Sequence, residues 1–189
     1  MESPKIQGVI EEIKLFPYLN KFPKLGKNVF LASGSKIVGE VEIGNDTSIW
    51  YNTVIRGDVN FVTIGNMTNV QDSSTLHVTN GKFPLIIGDK VTIGHSVVLH
   101  GCILKNLCLI GMRAVVLDGA VIEEKGMVAA GSVIVPGFVV PSGKLVAGVP
   151  GKVVRDLSIE ELDEFEKSAE RYVKYTELTV ESLRKAGYE

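Results

Sequence analysis

Between Leu25 and Val146 an apolar residue recurs in steps of six, with three breaks in phase. The first series runs Leu25, Leu31, Ile37, Ile43, Ile49, Ile55 and Phe61. After three extra residues it resumes at Ile64, Val70 and Leu76. A second interruption, about Thr79 to Leu85, precedes Ile87, Ile93 and Leu99. One residue is then lost, and the last series is Leu104, Ile110, Val116, Ile122, Val128, Ile134, Val140 and Val146.

Few architectures satisfy that spacing. An amphipathic helix needs apolar residues three and four apart, and a half-buried strand needs alternation. The strands of an ordinary β-sandwich hold no fixed phase of six. A hexapeptide repeat sustained over about 120 residues predicts a parallel β-helix, in which three hexapeptides make a triangular coil of about 18 residues. The aliphatic residue of each repeat points inward and stacks on the one a coil below. Gly, Asn and Asp at the corners adopt backbone conformations that branched residues resist. The 20 glycines fit a chain that turns this often. The expected fold is mainly β: about seven coils over residues 21–152.

The flanks read differently. Residues 1–20 form a leading segment in which Phe16-Pro17 and Phe22-Pro23 disfavour a helix. The repeat stops near Gly148-Val149-Pro150-Gly151. Ser158-Ile159-Glu160-Glu161 has the capping-box form. Ile159, Leu162, Phe165, Ala169, Tyr172, Val173 and Thr176 then recur at helical spacing, which predicts a helix from about 159 to 185 with Gly187 beyond its end. Residues 153–189 are therefore a helical appendage on the β-helix or on a neighbouring copy.

Composition narrows the function. A net charge of −2, from 20 basic and 22 acidic residues, gives no electrostatic case for nucleic acid or a membrane surface. No apolar run approaches a membrane span, and the first residues lack the pattern of a signal peptide, so a cytoplasmic location is expected. Cys102 and Cys108 imply no disulfide framework and sit among apolar neighbours as small buried hydrophobes.

The chain has three histidines, His77, His95 and His100, all within 24 positions. The repeat predicts where each points. His77 follows Leu76 and His100 follows Leu99, so both occupy the same position of the same face, stacked about 4.8 Å apart. Arg56 follows Ile55 in that column. His95 lies two residues after Ile93 on another face, in the column of Asp72, with Gln71 beside it. A heterologous interface that closes into a ring joins two such faces. The expectation is a homotrimer with one metal per interface, bound by His77 and His100 of one copy and His95 of the next. Three imidazoles and an open position suit catalytic zinc, and zinc lowers the pKa of bound water to about 7. Imidazole also suits iron, cobalt and nickel. In the same trimer Arg56 could pair with Asp72 across the interface while Asp58 holds the guanidinium. The Gln71 amide could orient the hydroxide, although a plain surface glutamine reads almost as well.

Arg56-Gly57-Asp58, Asn69-Val70-Gln71-Asp72, His77, Ile93-Gly94-His95, His100-Gly101-Cys102 and Ala147-Gly148-Val149-Pro150 together resemble the gamma-class carbonic anhydrase-like family. The resemblance implies a left-handed β-helix, a trimer, and zinc or iron (Fe2+, with Co2+ possible) at the subunit interface. It implies a zinc-dependent lyase that hydrates carbon dioxide reversibly to bicarbonate through a metal-bound hydroxide. By matching positions His77, His95 and His100 are the ligands, Arg56, Asp58 and Asp72 the interface salt bridge, and Gln71 a contact to the hydroxide. Tyr172 is the candidate for the helix tyrosine that approaches the site in short members.

Two departures weigh against rapid turnover. Val59 stands where the prototype of the family has a glutamate after R-G-D. The loop Thr79-Asn80-Gly81-Lys82-Phe83-Pro84 carries no acid to relay the proton that hydration releases. Two alternatives therefore stay open: a metal-binding structural or assembly subunit with little activity, and a coenzyme A-dependent hexapeptide acyltransferase. Fold alone does not separate them.

Overall fold

The structure, a computed structural model, describes residues 14–187. Most of the leading segment, residues 1–13, lies outside the described residues.

The chain winds into a parallel β-solenoid of about seven coils with one C-terminal helix. Its core is three aliphatic stacks set by the register of successive strands. Leu31, Ile49, Val70, Ile93, Ile110, Val128 and Val146 align on one face. Ile37, Ile55, Leu76, Leu99, Val116 and Ile134 align on the second. Leu25, Ile43, Ile64, Ile87, Leu104, Ile122 and Val140 align on the third. Most of these side chains are fully buried, and each contributes about 1.5–3 kcal/mol by leaving water. Both cysteines are free and buried, as their apolar surroundings imply. Burial pushes the Cys108 thiol up to about 12, and that of Cys102 higher still.

Three members of the expected series are less buried than the period implies. Leu25 and Leu31 belong to the first coil and are only partly covered, Leu25 remaining 38% exposed. Phe61 is not a core residue, being 38% exposed on the strand Val54–Ile64. That strand rounds a corner beside Lys36–Ile43, and the register passes from Gly39↔Gly57 to Val41↔Val62. Residues 58–61 thus face the single residue Glu40, and the surplus bulges outward. Val62 and Ile64 fill the core instead. Glycine is required at this corner: a Cβ on Gly57 would stand 2.4 Å from the Glu40 carbonyl oxygen, and one on Gly39 would stand 2.3 Å from that of Gly57.

The second interruption is also an outward loop, tied by a bridge between Thr79 and Phe83. The two excursions bond to each other, Asn60 Nδ2 donating to the Thr79 carbonyl at 3.0 Å. Near the start, Leu15–Phe16 adds a short parallel strand against Ile37–Val38. At the far end Lys152–Asp156 turns back antiparallel on Lys144–Ala147.

The helix spans Ile159–Lys185 and begins with the expected capping box, Ser158 and Glu161 exchanging side-chain and backbone bonds. Phe165, Ser168 and Ala169 are buried, and the helix packs on the strands Ser48–Ile49 and Thr92–Ile93. Lys90 pairs with Glu166, and Thr92 Oγ1 meets Ser168 Oγ at 3.0 Å. Ile159 does not join the packed face. It is 74% exposed. The helix therefore lies on the face that carries His95.

Candidate metal centre

Solenoid register fixes the histidines as the hexapeptide phase requires. His100 pairs with His77 through Leu99↔Leu76 on one sheet. Ile93 aligns with Val70 on the other sheet, which sets His95 above Asp72.

The two stacked rings stand 5.1 Å apart at 60°. Nδ1 of His77 faces Nε2 of His100 at 3.1 Å. Each ring has a carboxylate on its far nitrogen: Asp58 Oδ1 lies 3.1 Å from His77 Nε2, and Asp118 Oδ1 lies 2.7 Å from His100 Nδ1. His95 repeats the arrangement, with Asp72 Oδ2 2.6 Å from its Nδ1.

With ionised carboxylates, these contacts favour one tautomer of each ring. An ionised carboxylate only accepts, so the ring nitrogen facing it carries the hydrogen. In neutral rings that leaves lone pairs on Nδ1 of His77 and Nε2 of His100. Two acceptors aimed at each other are reconciled by a positive charge between them, either a shared proton or a metal ion. Ligands of a tetrahedral zinc, each about 2.0–2.1 Å from the ion, lie about 3.3 Å from one another. The observed 3.1 Å is close to that spacing. A carboxylate behind each imidazole is also the usual support of a metal-bound histidine. The donor set fits a divalent metal.

A single chain does not bring all three histidines together. Among the described residues no three His, Cys, Asp or Glu side chains converge as a metal cluster. His95 belongs to the helix-covered face. It lines a cavity of about 580 Å³ with Trp50, Asp72, Tyr172 and Tyr175. Tyr172 packs edge-on against Trp50, with ring centroids 5.8 Å apart. Burial, and then the charge of Asp72, push the Tyr172 hydroxyl above its ordinary range. Tyr172 therefore stands beside His95 and apart from the His77–His100 pair.

The other expected site residues divide. Arg56 forms an ion pair with Asp58 inside one chain. Burial raises the affinity of the Asp58 carboxyl for protons, but hydrogen bonds from Arg56, His77 and the Val59 amide outweigh it and hold the group below its usual range. Asp72 is engaged by His95. Gln71 is not a surface glutamine: it is 6% exposed. Its Nε2 donates to Asn69 Oδ1 at 3.1 Å, and Asn69 Nδ2 donates to Thr92 Oγ1 at 3.0 Å. Through Ser168 this chain of amides and hydroxyls reaches the helix.

Asp118 is the residue that sequence reasoning misses. It lies on the next coil, one position off the histidine column, so the hexapeptide phase does not align it with His100. The signal that could have found it is the glycine at 101, which keeps that neighbouring position free of a side chain.

Residues 22–57 match the family described as bacterial transferase hexapeptide (six repeats). A protein named "Probable carbonic anhydrase" from Methanocaldococcus jannaschii is 56% identical over 160 residues, covering 85% of this chain and 99% of the relative. Gamma carbonic anhydrase 2, mitochondrial, from Arabidopsis thaliana is 41% identical over 169 residues, covering 87% of this chain and 61% of its own length. The chain belongs to the gamma-class carbonic anhydrase-like family. Among solved structures, a hexapeptide transferase family protein from Anaplasma phagocytophilum matches with a TM-score of 0.84 and 43% identity, over 87% of this chain and 96% of that one. Relatives of this gamma-class chain thus carry both carbonic anhydrase and transferase names. The residues at the histidine pair, more than the solenoid, must decide between those chemistries.

Proposed function

We propose that this chain is a gamma-type carbonic anhydrase acting as a homotrimer. A divalent metal, zinc or else iron or cobalt, is held at each interface by His77 and His100 of one copy and His95 of the next. One observation carries the reading. Nδ1 of His77 and Nε2 of His100 face each other at 3.1 Å with carboxylates behind both rings. An acyltransferase that uses a single histidine as base has no need of such a pair. The relatives named carbonic anhydrases support the same conclusion.

When bound, the metal supplies Lewis-acid activation of water near neutral pH. The chain's own residues prepare the site. Asp58, Asp72 and Asp118 hold protons on the outer nitrogens of the three histidines, so that the inner nitrogens present lone pairs. Arg56 keeps Asp58 ionised and turned toward His77. Gln71, fixed by Asn69, offers its remaining amide atoms to a small polar substrate. Tyr172 and Trp50 wall the His95 side and limit water there.

A second reading has its own observation. The loop 79–84 carries no carboxylate, and Val59 is 38% exposed where the family prototype has an acid. A metal-bearing assembly subunit with little turnover would need neither acid. Stopped-flow hydration of carbon dioxide by zinc- or iron-loaded protein separates the two. A rate well above that of a His95→Ala variant supports the lyase. Equal rates reject it and leave the assembly role.

A further inference from the structure

We propose that Asp118 is a positioning residue for the metal ligand His100, and that Gly101 is a glycine so that this carboxylate can reach the ring. The inference rests on the metal-centre reading.

Asp118 sits at the corner of the coil above His100. Its Oδ1 lies 2.7 Å from His100 Nδ1 and also accepts from Thr79 Oγ1 at 2.9 Å. The corner itself is pinned on both sides. The Gly119 amide donates to the Gly101 carbonyl at 2.7 Å, and the Gly137 amide donates to the Asp118 carbonyl at 2.9 Å. The carboxylate therefore has a fixed origin, a second donor that holds its orientation, and one ring nitrogen to receive it.

Gly101 shows that this approach needs space. A Cβ there would stand 2.3 Å from Asp118 Oδ1 and 2.8 Å from Phe83 Cβ, and its backbone holds φ at +55°. Any side chain at 101 would push the carboxylate off the ring. Asp118 and the Thr79 loop thus form a support that enters from outside the histidine column. Thr79 lies at the base of the loop that lacks an acid of its own, and Asp118 is the carboxylate that meets this loop in space. Because it is tied to His100 Nδ1, its part is to fix which nitrogen of His100 is left bare and where that nitrogen points.

The test uses full-length protein, with Asp118→Asn and Asp118→Ala variants. Asp118→Asn keeps the shape of the corner and provides a folded variant even if alanine loosens it. Cobalt affinity is measured by chelator competition, and the ring tautomer of His100 in metal-free protein by nitrogen-15 NMR at fixed pH. Wild-type His100 is expected to carry its proton on Nδ1. Removing the carboxylate is expected to abolish that preference, to weaken cobalt binding by about 10- to 100-fold and to alter the visible cobalt spectrum. Wild-type cobalt affinity in both variants, within about twofold, would overturn the proposal while leaving the metal centre intact. If wild-type protein itself takes up no metal, the metal-centre reading fails. The tautomer then decides the contact alone: an unchanged His100 ring in Asp118→Ala overturns the positioning role as well.

Discussion

Nδ1 of His77 and Nε2 of His100 face each other at 3.1 Å, although the carboxylates behind both rings make each of these nitrogens an acceptor. A cation between them relieves that conflict, so metal should stabilise the protein. A ligand that binds only the folded state at one hundred times its dissociation constant adds about 2.7 kcal/mol. Chelator treatment is expected to lower the melting temperature, and added zinc to restore it. His77→Ala and His100→Ala should melt at one temperature with or without zinc. Calorimetry showing zinc stabilisation undiminished in both variants would remove the pair from the ligand set.

His95 sits in the turn after a strand of the other sheet, so its partners are expected on another copy. Mixing supplies the test. In the proposed trimer, assemblies of His77→Ala chains alone or of His95→Ala chains alone would lack a complete site. Co-refolded in equal amounts, the two chains should form mixed trimers with one intact site each, giving about a quarter of the wild-type metal content. Metal analysis checks this directly. Content that stays at the level of the separate variants would refute ligation in trans.

Core register gives a sharper mutational contrast. Leu99 is fully buried in its stack, whereas Phe61 is 38% exposed on the bulge. Leu99→Ala is expected to cost about 2–5 kcal/mol, and Phe61→Ala less than about 1 kcal/mol. Urea unfolding distinguishes them, and equal losses would mean that Phe61 packs inward after all.

Leu99 and Phe61 also mark how far the sequence could be read. The stacks were legible because each inward position sees an aliphatic neighbour above and below, so the same chemistry returns every six residues. His77 and His100 inherit their alignment from Leu76 and Leu99, which made their pairing predictable. Phe61 continues the count but stands where surplus residues leave the sheet, and periodicity carries no information about which residue a bulge expels. Asp118 escaped for a related reason. It reaches His100 through a gap left by a glycine, and a missing side chain has no periodic signature. Gln71 is held in the interior by Asn69, a polar contact between near neighbours in the chain, so its column alone could not place it there.

Gly101→Ala combines a left-handed backbone with a collision. The backbone conformation alone costs a non-glycine residue about 1–2 kcal/mol. Displacement of Asp118 and Phe83 adds to that, so a total loss of about 2–3 kcal/mol is expected. Metal affinity should fall with it, whereas Gly131→Ala is expected to lose stability and keep its affinity. Gly131 has a φ of +69° but open space around its missing Cβ, so it supplies the strain without the collision. Chelator competition on both variants reads the difference. Equal affinities would dissociate Gly101 from the histidine support.

Glu161 gives the helix a pH dependence. Its carboxyl is held down to about 2, first by hydrogen bonds from Arg155 and then by the Ser158 backbone amide of the capping box. The unfolded value is the ordinary 4.5. A group depressed by folding stabilises the native state above its unfolded pKa, and that contribution fades as pH falls through the folded value. Glu161→Gln should therefore melt below wild type at pH 7. The gap should begin to close near pH 4.5 and be nearly gone by about pH 2. Ser158→Ala removes the reciprocal bond and is expected to cost about 1 kcal/mol. Because the helix covers the face that carries His95, either change should loosen the Tyr172 side of the cavity before it disturbs the His77–His100 pair. Hydrogen exchange across 159–172 should rise while exchange at Leu76 and Leu99 stays slow. Faster exchange at Leu76 and Leu99 as well would mean that helix and solenoid unfold as one unit.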